Sequence, residues 1–407
     1  ATPQSSPGGA RSPAARLCPD VGGAGELGLV MSGGGARAAY QVGVLRRIAQ
    51  ERPALAPEIL TGVSAGAINA AFLAHDSGSF AEAAERLARL WLSLSVGDVV
   101  DTEDPQLFRN ALRWGVRLVS GGRRFTEPTR GLLDTGPLAA LLERELDADG
   151  TGRLRGISER LAAGPLRALA ITGSSYTTGR SVTWVCGRGI EDWERPNRRS
   201  ERTELRVAHV LASSALPLLF PAVEVDGHWY GDGGIRLTAP LSPAIHLGAR
   251  RVLAISTRYP RSHVEADDPA IAGYPPPARI AGVLMNAIFL DLIDQDALTL
   301  ERINRLLARL PEAERAAMRP VGLYVLRPSR DLGRMANAFE AQLPRGLRFL
   351  TRGLGTREER SNDLLSLLMF QEDYLAALVA LGEKDAEARL AELLAFVDGE
   401  PVGGGPT

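Results

Sequence analysis

The stretch "LGLVMSGGGARAAYQVGVL" (27–45) decides how the chain is read. Leu27 to Met31 is an apolar run with strand character, and Ala39, Val42, Leu45 and Ile48 recur at helical spacing. Gly33, Gly34 and Gly35 therefore stand at a strand-to-helix turn. Such a turn gathers unpaired backbone N–H groups at the positive end of a helix dipole, and holds negative charge without side chains. Three anions compete for it. Gly33-x-Gly35-x-x-Ala38 fits a dinucleotide-binding fingerprint, which needs an acidic residue about 20 positions on; Glu51 and Glu58 are the candidates. A nucleotide phosphate loop ends in Gly-Lys-Ser/Thr, and the one lysine, Lys384, lies far away, which removes that reading. The third is an oxyanion hole, and it requires a nucleophile elsewhere.

The nucleophile is offered by "ILTGVSAGAINAAFLA" (59–74), where Gly62-Val63-Ser64-Ala65-Gly66 is a G-x-S-x-G elbow between a strand and an Ala-rich helix. Flanking glycines let the backbone turn sharply enough to present the Ser64 hydroxyl. A serine hydroxyl is a weak nucleophile near neutral pH and needs a base. A Ser–Asp–His order leaves only His246, in "SPAIHLGARR", and His263, in a charged loop, and both read as ordinary residues of their segments. Asp232 in "WYGDGG" is the better base, since the flanking Gly231, Gly233 and Gly234 allow its carboxylate to approach another loop.

Strand-like runs at 25–31, 58–63, 166–176, 181–185 and 250–257 alternate with helical patterns, which predicts an α/β fold with a mainly parallel sheet. Residues 220–234 read as a hairpin around Asp226-Gly227. Residues 258–279 are a Pro-rich, charged loop or flap. The stretches 280–310 and 359–398 are helical, with a late strand at 320–328 that completes the same sheet. Residues 1–24 and 399–407 read as flexible tails.

Composition narrows the function classes. With 47 Lys and Arg against 48 Asp and Glu, a net charge of −1 gives no general attraction to nucleic acid. Cys18 and Cys186 support neither a disulfide framework nor a metal cluster, and Asp291, Asp294 and Asp296 do not share a helix face. No metal or organic cofactor is expected. No apolar run reaches the roughly 18 residues of a bilayer span. A cytoplasmic protein is the expectation, with transient contact to a membrane surface through residues 105–126 left open. Residues 105–126 carry five arginines and no acid; Arg109, Arg113 and Arg117 share a stripe beside Phe108, Leu112 and Trp114, either a solvated basic face or an interfacial helix.

The combination of "GGGAR" (33–37), "GVSAG" (62–66), "ASSALPLLFP" (212–221) and "DGG" (232–234) resembles the patatin-like phospholipase family. The resemblance implies a three-layer α/β/α catalytic domain over 25–257, followed by the 258–279 flap and a helical C-terminal region over 280–398. It also implies a Ser–Asp dyad: Ser64 as nucleophile, Asp232 as general base, and the N–H groups of Gly33, Gly34 and Gly35 as oxyanion hole. Arg37, Gly62, Gly66, Gly233 and Gly234 would support the motifs, Arg37 either through backbone carbonyls or as positive potential beside the oxyanion. Pro217 and Pro221 would stiffen a loop whose Leu216, Leu218, Leu219 and Phe220 touch an acyl chain or pack in the core. The implied substrate is a phospholipid or lysophospholipid ester, hydrolysed through an acyl-serine. A catalytically silent or regulated effector on the same fold and, further off, a dinucleotide-binding module are the alternatives. Ala38 stands where the family motif usually has a further glycine.

Overall fold

The computed structural model describes residues 26–101, 131–262, 274–289, 292–315, 318–353 and 361–400, and single positions 112, 116, 265 and 267. The expectations for residues 1–24 and 401–407, Asp291, His263 and most of 105–126 and 263–273 lie outside them.

Among the described residues ten strands form one sheet: β1 (Leu27–Met31), β2 (Ile59–Val63), β3 (Ala168–Ser175), β4 (Ser181–Gly187), β5 (Glu194–Arg195), β6 (Arg198–Arg202), β7 (Val223–Val225), β8 (His228–Asp232), β9 (Arg251–Ile255) and β10 (Gly322–Leu326). Their order is β10-β9-β1-β2-β3-β4-β6-β5, with β8 paired to β3 and β7. The run from β10 to β3 is parallel. Beyond it β3 pairs antiparallel with both β4 and β8.

Parallel strands are buried on both faces, and alternate residues here feed two cores. Leu27, Leu29 and Met31 of β1, with Leu253 and Ile255 of β9, face α1 (Ala39–Glu51), α2 (Ala65–His75) and α3 (Phe80–Ser93). Val30, Val252 and Ala254 face the other way, toward Ala244 and Ile293 from the helices Ser242–His246 and Leu292–Leu307. The result is three layers, α/β/α. The hairpin turns at Asp226 and Gly227, both at positive φ (49° and 78°). Strands β5 and β6 escaped the sequence reading because "ERPNRRSER", at the edge of the sheet, is polar in both strands, with no apolar alternation to betray it. The helix Pro277–Phe289 begins inside the segment read as loop to residue 279.

β10 joins the sheet through β9, and the helix Glu372–Glu387 packs on α1. That crossing is close: a Cβ at Gly43 would collide with the Val379 carbonyl oxygen, and one at Gly382 with that of Tyr40. Backbone cannot move aside as a side-chain tip can. Gly43→Ala is therefore expected to destabilise the protein by about 3 kcal/mol, read as a lower urea midpoint at unchanged slope.

Candidate active site

Sheet register brings the motifs together at the carboxyl ends of the parallel strands. Met31 lies opposite Gly62, so the glycine loop after β1 and the serine after β2 leave the sheet side by side. Val63 pairs with Thr172 and Gly173 pairs with Asp232, so Ser64 and Asp232 flank the same segment of β3. A Cβ at Gly33 would come within 2.9 Å of Ser64 Cβ, and one at Gly233 within 2.7 Å of Val63 Cγ2. Glycine at these points is what permits the approach.

Ser64 has φ 56° and ψ −132°, a conformation that costs a side-chain-bearing residue of order 1–3 kcal/mol and persists only where its surroundings impose it. Two restraints are visible. Its N–H donates to Ser213 Oγ at 3.0 Å, and that hydroxyl donates to the Thr172 carbonyl at 2.7 Å. Gly66 lies so close to the Met31 and Ser32 carbonyls that no Cβ would fit.

Asp232 is completely buried. Its Oδ1 accepts from Gly234 N at 2.9 Å, while Oδ2 makes no hydrogen bond of ordinary geometry among the described residues. Burial pushes the carboxyl up to about 7, and the nearby Ser64 hydroxyl and the Gly234 N–H pull against that rise. A carboxylate with a free oxygen, held near neutrality beside a serine, is suited to accept a proton from it.

The loop's carbonyls are fixed. Gly33 O accepts from Thr257 Oγ1 at 2.7 Å, and Gly34 O accepts from Arg37 N at 3.0 Å. In a trans peptide the N–H points opposite to the C=O, so the N–H groups of Gly34 and Gly35 are turned away from these partners. Gly34 and Gly35 reach this shape at φ 150° and 53°. Ala38 takes ordinary helical angles, φ −66° and ψ −13°, so the departure from the motif leaves the loop undisturbed.

Gly35 and Ser64 open onto a narrow apolar cleft of about 40 Å³, walled by Ile68, Trp91, Leu216, Phe220 and Phe370. The larger clefts, of about 790 Å³ beside Asp76 and Arg86 and about 620 Å³ beside Arg261 and Arg334, are lined by neither Ser64 nor Asp232. Of the loop residues expected at an acyl chain, Leu216 and Phe220 reach the cleft. Leu219 packs against the core. Leu218 does neither: it is 71% exposed at φ 66°, because the turn between Pro217 and Pro221 swings it outward.

Arg37 reaches one backbone carbonyl, that of Asp363 at 3.4 Å, and is otherwise held by side chains. It is buried, with an Asp363 ion pair at 2.6 Å and a hydrogen bond to Ser366 Oγ at 2.7 Å, both on the helix Asp363–Leu368. His246 stacks on Trp193, and His209 is buried against Trp184 with its pKa pushed down to about 4, by burial first and Arg206 second. Glu58 accepts from Leu27 N and Glu51 pairs with Arg47, so both candidates for a ribose are engaged elsewhere. Asp294 pairs with Arg258 and Arg327, and Asp296 accepts from Leu241 N; no metal-binding cluster occurs among the described residues. Cys186 is half-buried, and burial raises its thiol pKa. Leu112 and Val116, the described positions of the basic stretch, are exposed. No helix among the described residues is long and apolar enough to cross a membrane.

Sequence reasoning missed the residues that hold the turn. Ser213 and Thr257 act through single hydroxyls. Gln41 and Asn69 form a buried chain in which Trp91 Nε1 donates to Asn69 Oδ1 (2.8 Å), Asn69 Nδ2 donates to Gln41 Oε1 (3.0 Å) and Gln41 Nε2 donates to Ser32 O (2.8 Å). A polar amide on an otherwise apolar helix face was the available signal.

The model of the patatin-like phospholipase family matches residues 29–245, more than half of the chain. No curated protein matches it. Among solved structures it is similar to VipD from Legionella pneumophila, with 14% identity over 93% of this chain and 72% of that one and a TM-score of 0.35. Human GIVD cytosolic phospholipase A2 in complex with methyl gamma-linolenyl fluorophosphonate matches with 14% identity over 92% of this chain and a TM-score of 0.42; the match spans 59% of that protein. Full-length ExoU, in complex with SpcU from the type III secretion system of Pseudomonas aeruginosa, matches with 17% identity over 100% and 90% of the two chains and a TM-score of 0.26.

Proposed function

The chain belongs to the patatin-like phospholipase family, and on that premise we propose that it is a serine acyl hydrolase of phospholipids or lysophospholipids, working through a Ser64–Asp232 dyad. Ser64 Oγ attacks the ester carbonyl as Asp232 Oδ2 accepts its proton. The N–H groups of Gly33, Gly34 and Gly35 stabilise the oxyanion of the tetrahedral intermediate, and the proton passes to the departing alcohol. Water then gives its proton to Asp232 and attacks the acyl-serine; the bond from the acyl carbon to Ser64 Oγ breaks, Asp232 returns the proton to Ser64 Oγ, and the fatty acid leaves. Each proton transfer uses a residue of this chain.

The observation that carries the proposal is the buried Asp232 carboxyl with its unpartnered oxygen beside a serine held at positive φ. The apolar walls of the adjoining cleft suit an acyl chain. On this reading Leu216, Phe220 and Phe370 part to admit one, since the cleft as it stands holds about 40 Å³. The test is mass spectrometry of a mixed lipid extract incubated with the protein, with and without prior fluorophosphonate treatment. Free fatty acids and the matching lysolipids or deacylated head groups should accumulate only with untreated protein; identical lipid profiles in both samples would remove the assignment.

A further inference from the structure

The glycine loop is braced from outside the matched region. Arg37 stands two residues beyond it and is 3% exposed, and the partners of its guanidinium, Asp363 and Ser366, lie some three hundred residues away in sequence. The bidentate reach is specific: Nη2 donates to Asp363 Oδ1 at 2.6 Å and Nε to Ser366 Oγ at 2.7 Å, while Ser366 Oγ donates to the Asp363 carbonyl at 2.7 Å. Asn362 caps this helix, its Oδ1 accepting from Leu365 N at 3.1 Å. The backbone of the same helix then touches the loop itself, since the Leu367 carbonyl oxygen fills the space where a Gly35 side chain would stand. Just beyond, Phe370 walls the cleft at Ser64 and stacks on Trp91 at 6.4 Å between ring centres. One short C-terminal segment thus meets the loop, its arginine and the cleft.

We propose that Asp363, through Arg37, is a positioning residue that fixes the peptide planes of the Gly33–Gly35 loop for oxyanion binding, so that catalysis depends on the helix Asp363–Leu368. This rests on the dyad reading above. A guanidinium held through both Nε and Nη2 by one helix is fixed in its plane, and the backbone N–H of Arg37 holds the Gly34 carbonyl whose peptide plane aims the Gly35 N–H. Loss of the brace leaves the substrate cleft in place and disturbs the donors. A displacement of about 1 Å at such donors reduces rate by about 10²-fold.

The experiment compares wild type, Asp363→Asn and the milder Ser366→Ala in two measurements, and tests Arg37→Ala in a third. In steady-state hydrolysis of a short soluble ester, Asp363→Asn should lose about 10²-fold in kcat with KM changed less than about twofold, and Ser366→Ala should lose less in the same direction. In hydrogen exchange, the peptide covering residues 32–38 should exchange faster in both variants while β2 and β9 keep their protection. Arg37→Ala should regain part of its kcat when guanidinium is added, and not with sodium chloride at equal ionic strength. Wild-type kcat together with wild-type exchange of the loop in Asp363→Asn would overturn the proposal. A general loss of protection across the sheet, with no guanidinium rescue, would overturn it as well, since the pair would then serve the fold alone. If wild type hydrolyses no ester yet the loop alone loosens in both variants, the structural brace on the loop holds while the positioning role in catalysis falls with the dyad reading.

Discussion

A Ser64→Ala protein is expected to take up no fluorophosphonate and to lose acyl hydrolysis by about 10⁴-fold or more, while melting at or above the wild-type temperature. Alanine keeps the Cβ that the elbow already accommodates at φ 56°, and it leaves the N–H of residue 64 free to donate to Ser213 Oγ as before. What disappears is the single oxygen able to form the acyl bond. Intact-protein mass spectrometry after exposure to the probe reads the result directly: wild type gains one phosphonyl mass and Ser64→Ala gains none. Equal labelling of both would move the nucleophile elsewhere. A control at Ser213 sharpens the reading. Ser213→Ala removes the acceptor for the Ser64 N–H and should slow labelling without preventing it, because the reactive oxygen remains.

The motif residues were legible because each carries backbone or chemical requirements that show in sequence. Gly33, Gly62, Gly66 and Gly233 mark close approaches where a Cβ does not fit, and glycine at such points stands out between apolar runs. The parallel strands β1, β2 and β9 were legible for a related reason, since burial on both faces writes continuous apolar segments. Residues acting across the fold were not. Ser213, Thr257 and Asp363 each make one or two hydrogen bonds to partners far along the chain, and nothing in their neighbours' pattern records it. Arg37 shows the limit most clearly. Its place in the motif was evident, but its partner lies on a helix whose sequence, "DLLSLL", reads only as apolar packing with an acid in its first turn. Leu218 fails in the opposite sense, because a local positive φ overrode the expectation from its apolar neighbours.

The base is tested by Asp232→Asn, which is expected to reduce kcat by about 10²–10⁴-fold or more and at the same time to stabilise the protein at alkaline pH. Asparagine keeps the size of the side chain, and its carbonyl can still accept from Gly234 N, but it cannot take the serine proton. The pH dependence follows from the carboxyl's position near 7. The deprotonated form is the base, so wild-type activity should rise with pH through about 7 and level off above it. Stability runs the other way. In the unfolded chain the group ionises near its ordinary 3.8, whereas in the folded chain burial holds the proton up to about 7. Between those values the folded state binds the extra proton, so this group's contribution to stability falls as pH rises, and above the window the buried charge opposes folding in full. Removing that charge should therefore raise the melting temperature of Asp232→Asn over wild type at pH about 8, with the difference narrowing toward pH about 4. Histidine has no part in this limb: His246→Gln and His263→Gln should keep both the rate and its rise through neutrality. A histidine variant as inactive as Asp232→Asn, or an Asp232→Asn protein with wild-type kcat, would return the proton to a Ser–Asp–His arrangement. An inactive Asp232→Asn that melts higher than wild type at pH about 8 is the signature of a carboxylate held buried, against the stability of the fold, for its chemistry.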